Sequence, residues 1–351
     1  MKKLFKIILI VLLAVLIAAA GLVIWLSAAE YRPRATEPVP VAAEPGLPGL
    51  KREEELKILC WNIGYGGLGK DSDFFMDSGD NVKAADETTV KKYLAGIKET
   101  VDGAEADLIM LQELDTDSAR SYRIDQQTYF AGSSASYALN YSCPFVPFPL
   151  PPIGRVHSGL YTASDSFAIE RAERQALPCP FKWPVSTANL KRCLLVSYLP
   201  IEDSDRQLVL VNLHLEAYDS GEGKIAQTKQ LREFILSEYE KGNFVIAGGD
   251  FNQVFPGSTE LYPNSHPELW TPGVLDEGLP PEGWTLAYDM SVPTCRLLNQ
   301  PYAPEDSEGT QHYVIDGFIL SPNVELISVE TMDEGFENSD HNPVLIEAVL
   351  K

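Results

Sequence analysis

Basic residues are scarce. The chain of 351 residues carries 28 Lys and Arg against 50 Asp and Glu, a formal net charge of −22. A body this acidic has no general attraction for nucleic acid or for an anionic membrane surface, so cations would have to mediate any action on phosphates. Histidine and cysteine are also sparse, at five each. Cys60, Cys143, Cys179, Cys193 and Cys295 are spread so widely that no pair has zinc-ligand or redox-motif spacing. Cys60 and Cys193 lie in apolar, strand-like runs and read as core thiols. Cys143 and Cys179 lie among prolines, where a bridge is open to them, while the odd count leaves at least one thiol unpaired. No Gly-x-Ser-x-Gly elbow is present, which argues against a serine nucleophile. There is no internal repeat.

The one long apolar run is at the start. Lys2, Lys3 and Lys6 precede an uncharged stretch from Ile7 to Ala29. Its length is enough to cross a hydrocarbon core of about 30 Å at about 1.5 Å per residue. Trp25 fits an interfacial anchor, and the positive flank puts the N-terminus in the cytoplasm and the rest of the chain outside. Residues 1–30 are thus expected to be a single-pass membrane anchor, with the bilayer as partner of residues 7–29. Ser27, Ala28 and Ala29 keep open a cleaved signal peptide and a secreted protein. Residues 31–54, with Pro33, Pro38, Pro40, Pro45 and Pro48, read as a linker. Residues 55–351 read as one folded domain.

Within that domain, apolar runs alternate with helical stripes. Leu56 to Ile63 is a first strand. Val90, Leu94, Ile97 and Val101 form a stripe at helical spacing over 87–101, with Gly103 placed to end it. Asp107 to Glu113 is a continuous apolar run ending in a carboxylate, as in a buried central strand. Tyr137 to Pro152 reads as a long surface excursion. Strands are expected at 158–163, 167–171, 192–199 and 207–215, a helix at 223–240 and a strand at 244–250. Residues 256–311 read as a long loop region with short elements. Strands at 313–320 and 324–330, a polar turn at 337–343 and a strand at 344–350 close the chain.

Polar residues gather at the strand ends: Asn62, Glu113, Asn212, His214, Asp250, Asn252, Asp316, Asp340 and His341. Asp250 and Asn252 are two apart and point to one side of an extended chain. Asp316 stands in an otherwise apolar strand, where a carboxylate is costly unless paired, and a histidine is its natural partner. Carboxylate and carboxamide oxygens suit a hard cation such as Mg²⁺, with Mn²⁺ a possible substitute. Two histidines suit acid, base or phosphate-binding roles. The set suits metal-assisted hydrolysis of a phosphate ester.

Six segments, Trp61-Asn62-Ile63, Leu111-Gln112-Glu113, Asn212-Leu213-His214-Leu215, Gly249-Asp250-Phe251-Asn252, Ile315-Asp316-Gly317 and Ser339-Asp340-His341, resemble in order the motifs of the endonuclease/exonuclease/phosphatase superfamily. The resemblance implies an α/β four-layer sandwich: two packed mixed β-sheets flanked by helices, here preceded by a transmembrane helix. It implies that Asn62 and Glu113 hold Mg²⁺, with Asp340 helping directly or through water. His341, oriented by Asp316, would take a proton from the attacking water or polarise the phosphoryl group. Asp250 would position and activate that water, Asn252 would fix its geometry or the phosphate, and His214 would contact a phosphate oxygen and favour departure of the leaving group. The activity expected is in-line attack of water on a P–O bond, as a phosphodiesterase acting on nucleic acid or a phospholipid head group. A non-catalytic tethered binding module on the same scaffold is the alternative, and no protein partner is implied. His157, Arg120, Arg123, Arg155 and Arg296 are further candidates for substrate contact, each weighed against an incidental surface histidine or pairing with one of the many acids.

Overall fold

The computed structural model describes residues 2–304 and 309–351. Two βαβ units supply its centre. In the first, β3 (Glu55–Asn62) leads through α2 (Glu87–Gly103) to β4 (Leu108–Asp115). In the second, β9 (Gln207–His214) leads through α3 (Glu222–Glu240) to β10 (Phe244–Asp250). Each unit pairs its strands in parallel, so both strands of a unit end on the same edge of their sheet. The start of α2 is capped by Asp86, whose carboxylate accepts from the Thr89 amide at 2.7 Å.

Ten further strands extend these units antiparallel, and two short pairs, 253–254 with 273–274 and 295–296 with 312–313, stand outside the two sheets. The ten are β1 (Thr36–Val39), β2 (Val41–Ala43), β5 (Ser134–Val146), β6 (Gly154–Ser164), β7 (Arg171–Ala176), β8 (Cys193–Pro200), β11 (Thr285–Ala287), β12 (Asp316–Leu320), β13 (Val324–Thr331) and β14 (Val344–Leu350). One seven-stranded sheet has the order β1-β7-β8-β9-β10-β12-β11 and the other β13-β14-β3-β4-β6-β5-β2. Alternation along the strands makes the layers. Ile58, Cys60 and Met110 point into the cluster between the sheets, beside Leu210, Ile246 and Phe318. Leu59, Trp61 and Leu111 turn the other way, onto Val90, Leu94 and Ile97 of α2. On the opposite outer face, Val209, Val211 and Val245 meet Leu231 and Ile235 of α3. Burying each such side chain stabilises the fold by roughly 1.5–3 kcal/mol. The architecture is the four-layer sandwich expected.

Several local readings need correction. Tyr137 to Val146 is not an excursion but most of β5, whose alternate residues pack inward; only the turn after it is loop. Prolines there disguised a long strand. Residues 31–54 do more than link: Thr36–Val39 and Val41–Ala43 add an edge strand to each sheet. Pro38 and Pro40 suit edge positions, where a missing amide hydrogen is tolerated. The strand placed at 167–171 starts at Arg171. Asp316 opens β12 instead of lying inside a strand. All five cysteines are free, so Cys143 and Cys179 form no bridge; Cys60 and Cys193 are buried as expected. Part of the loop region 256–311, residues 305–308, lies outside the described residues.

The N-terminal helix α1 (Lys2–Ala29) is long and apolar enough to cross a membrane or to serve as a signal sequence. Most of it is exposed, and only its last turns touch the domain. Leu22 and Leu26 pack against Cys143, Val146 and Val156.

Candidate active site

Strand register assembles the site before any side chain is considered. In the first sheet His214 lies directly beside Asp250, and Asp250 directly opposite Asp316. Three adjacent strands thus present three ionisable residues in one row. In the other sheet Asn62 lies beside Gln112, which puts Glu113 one residue further along the same edge. The rows meet across the sheet interface, where the Asn62 amide donates to Asp250 Oδ2 at 3.1 Å. Two glycines make this closeness feasible. Gly249 has φ +147°, and a Cβ there would sit 1.9 Å from the Leu213 carbonyl oxygen. Gly64 has φ +48°, and its Cβ would meet Asp340 Oδ1 at 2.7 Å.

Asp250 is the hub. Oδ1 accepts from the Asn252 backbone amide at 2.8 Å, and Oδ2 from the side-chain amides of Asn62 and Asn252. His214 Nε2 is 3.3 Å and His341 Nε2 3.9 Å from that same Oδ2. Burial, with the Asp316 carboxylate near, pushes the Asp250 carboxyl well above the usual range. Asn252, itself at φ +50°, also donates to the Leu215 carbonyl, so it clamps Asp250 to β9.

The two histidines are held in opposite states. His341 Nδ1 is 2.8 Å from Asp316 Oδ2. Burial opposes its protonation, but the Asp316 carboxylate, with Cys295 and Asp340 adding to it, raises His341 well above the ordinary histidine value. His214 is lowered well below that value by burial, with Arg192 and His341 adding to the effect. Its Nδ1 has no partner among the described residues.

Glu113 sits in a β-bulge with φ +54°, a conformation an ordinary residue adopts at a cost of about 1–3 kcal/mol. The bulge turns its carboxylate into the cleft, where it pairs with Arg120 Nη2 at 3.5 Å. Asp340 lines the same cleft and is pushed up to about 6 by burial, with Glu113 adding to the rise and His341 opposing it. Two carboxylates on one cleft, beside the Asn62 carboxamide, are a donor set that a hard cation fits. The buried Tyr65 hydroxyl lines this cleft without a partner among the described residues, which also fits an arriving polar group. Asp250, Asp316 and His341 bring ligand atoms within 4.8 Å of one another and are a competing cage. Asp316 Oδ2 is engaged by the imidazole and Asp250 by three amide donors, which leaves Asp316 Oδ1 as a buried acceptor without a partner among the described residues. Asn62, Glu113 and Asp340 line the cleft together, whereas Asp316 lies behind His341.

All eight predicted residues, Asn62, Glu113, His214, Asp250, Asn252, Asp316, Asp340 and His341, come together, seven of them lining one cleft with Asp316 behind His341. Asn212 does not. It is turned between the sheets, accepting from Gln112 at 2.8 Å and donating to the Leu111 and Tyr161 carbonyls. His157 lies in a different cavity, bonded to Thr116. Arg123 and Arg155 pair with Asp117 at the surface. Arg296 pairs with no acid; it is buried and donates to the carbonyls of Gly69, Ser72, Leu297 and Gln300. Arg120 pairs with Asp115 yet also reaches Glu113 and lies 3.8 Å from the Tyr65 ring centre. Arg120 and Tyr65 were under-read. The signal available was the Gly64-Tyr65-Gly66-Gly67 loop directly after the first polar strand end.

The assembled geometry was compared with known structures. The catalytic domain of human nocturnin with bound sulfate superposes with a TM-score of 0.51, at 15 % identity over 87 % of this chain and 97 % of that one. An endonuclease/exonuclease/phosphatase from Beutenbergia cavernae DSM 12333 gives 0.55, at 16 % identity over 85 % and 72 %. The fold is that of the endonuclease/exonuclease/phosphatase proteins. A family member from Bacteroides thetaiotaomicron gives 0.52, at 14 % identity over 85 % and 98 %. No protein-family model and no curated relative matches the sequence.

Proposed function

We propose that the chain is a metal-dependent phosphoester hydrolase, a phosphodiesterase working by in-line attack of water, held by α1 with its catalytic domain outside the cytoplasmic membrane. The observation that carries this reading is the meeting of two rows of strand ends on Asp250, with the Asp316–His341 pair at 2.8 Å beside it. Asn62, Glu113 and Asp340 would hold Mg²⁺, or Mn²⁺ in its place. The bound cation supplies Lewis-acid stabilisation of charge on the phosphate and leaving oxygens. The rest is the work of the chain. His341 keeps its proton because Asp316 faces Nδ1, so Nε2–H is free to donate to a phosphoryl oxygen. Asp250, with its raised affinity for a proton, positions the water and accepts its proton. Asn62 and Asn252 hold that carboxylate still, and neutral His214 contacts a phosphate oxygen from the other side.

The test is hydrolysis of bis-p-nitrophenyl phosphate by the full chain with Mg²⁺ or EDTA, beside His341→Ala and Glu113→Gln. Turnover that needs the cation and is lost in both variants supports the reading. Absence of turnover, or turnover indifferent to EDTA, overturns it.

A further inference from the structure

The cleft has two ends of opposite character. Its floor is the polar set above. One wall is α1: Leu22, Val23 and Leu26 line the same cleft of about 600 Å³ as Glu113 and His341. Leu22 and Leu26 are one turn apart and share a helix face, which packs on Val146 and Val156. The contact is pinned by polar bonds at the helix end. Lys191 Nζ bonds Glu30 at 2.9 Å, and Trp183 Nε1 donates to Ser27 Oγ at 2.9 Å. Leu22 and Leu26 lie seven and three residues before the end of α1. If α1 crosses a bilayer, they are roughly 5–10 Å inside its outer edge at about 1.5 Å per residue. The cleft then opens at the depth where lipid head groups meet acyl chains.

An independent observation points the same way. Phe148, Leu150, Trp183 and Val185 are 68, 87, 66 and 58 % exposed. Phe148 and Val185 line the cleft, and Leu150 and Trp183 lie within two residues of them. A cluster of large apolar side chains beside a membrane helix suits the bilayer interface, where aromatic rings are at home. The net charge of −22 opposes the approach of a polyanion such as nucleic acid.

We infer that the substrate is a phospholipid of the bilayer that α1 enters, and that α1 itself is part of the binding site. This rests on the hydrolytic reading of the floor. The phosphate ester reaches Glu113 and His341, while the acyl chains lie along Leu22, Val23, Leu26 and Phe148. A volume of about 600 Å³ admits the head group and the first part of the chains, not a whole lipid. Hydrolysis breaks one P–O bond: the oxygen of water joins phosphorus, and the leaving oxygen departs as an alcohol carrying a proton.

The experiment uses the full chain in nanodiscs made in turn of phosphatidylcholine, phosphatidylethanolamine, phosphatidylglycerol, phosphatidylinositol and sphingomyelin. Bis-p-nitrophenyl phosphate is the soluble reference and plasmid DNA the competing substrate. Hydrolysis of at least one lipid is expected. Val23→Trp, which fills the wall, and Phe148→Ser, on the exposed rim, should each lower the ratio of lipid to soluble turnover at least about tenfold. Leu16→Trp, on α1 outside the cleft, should leave that ratio unchanged. Turnover of the soluble ester with no lipid hydrolysed, or with DNA alone cleaved, overturns the lipid assignment and leaves the hydrolytic reading standing. Equal ratios in all three variants overturn the role of α1. No turnover of any substrate overturns both readings.

Discussion

The floor of the cleft is made of strand ends, and its outer wall of a helix and loops. At the floor, sheet register sets the central positions: His214, Asp250 and Asp316 are lateral neighbours on three strands, and Asn62 reaches them from the other sheet. At the wall, positions depend on a few contacts, with Leu22 and Leu26 on Val146 and Val156 and two polar bonds at the helix end. A floor locked by backbone pairing suits chemistry that tolerates little displacement. A wall of apolar side chains on one helix and a turn suits binding of something soft. Under the proposals above, reaction belongs to the floor and choice of substrate to the wall.

The largest effect that would break this division is at the floor. His341→Ala should lower kcat about a thousandfold, checked by steady-state turnover of a soluble phosphodiester. Asp316→Asn should cost less, about 10–100-fold, because Asp316 acts through His341. Its signature is a downward shift of the His341 titration by NMR, which a merely structural role would not produce.

The two histidines sharpen the account further. In protein kept metal-free with EDTA, His341 should stay protonated above pH 6.5 and His214 stay neutral below it. The signs for stability are opposite. The raised His341 contributes stability that is present below its unfolded value and lost as pH rises through the folded one. The lowered His214 makes the fold less stable as pH falls below 6.5, since the unfolded state then binds the extra proton. Asn212→Ala should act on the scaffold alone. It leaves the Gln112 amide and the Leu111 and Tyr161 carbonyls short of partners, costing about 1–3 kcal/mol in denaturant unfolding. Turnover should stay within about a factor of two, because Asn212 faces the sheet interface and not the cleft.

Much of the floor was legible in the sequence because it depends on local rules. Apolar runs that end in Asn62, Glu113, His214 and Asp250 announce strands and what they deliver. The left-handed turn at Glu113 was not legible, since nothing in Leu-Gln-Glu-Leu marks a bulge. Asn212 was misread because two polar residues two apart on one strand share a side without sharing an environment: His214 reaches the cleft while Asn212 stays between the sheets. The wall was hidden for another reason. Val146 and Leu26 are distant in sequence, and a proline-rich stretch that reads as loop turned out to be β5, the strand that carries the contact.

The central claim is that Glu113 serves a cation while Asp316 serves His341. Mn²⁺ binding, followed by electron paramagnetic resonance, tests it with wild type, Glu113→Gln and Asp316→Asn. The account predicts a site that Glu113→Gln weakens by at least about tenfold and Asp316→Asn leaves nearly intact. Loss of Mn²⁺ in Asp316→Asn with retention in Glu113→Gln would contradict it and move the cation to the Asp250–Asp316–His341 cluster.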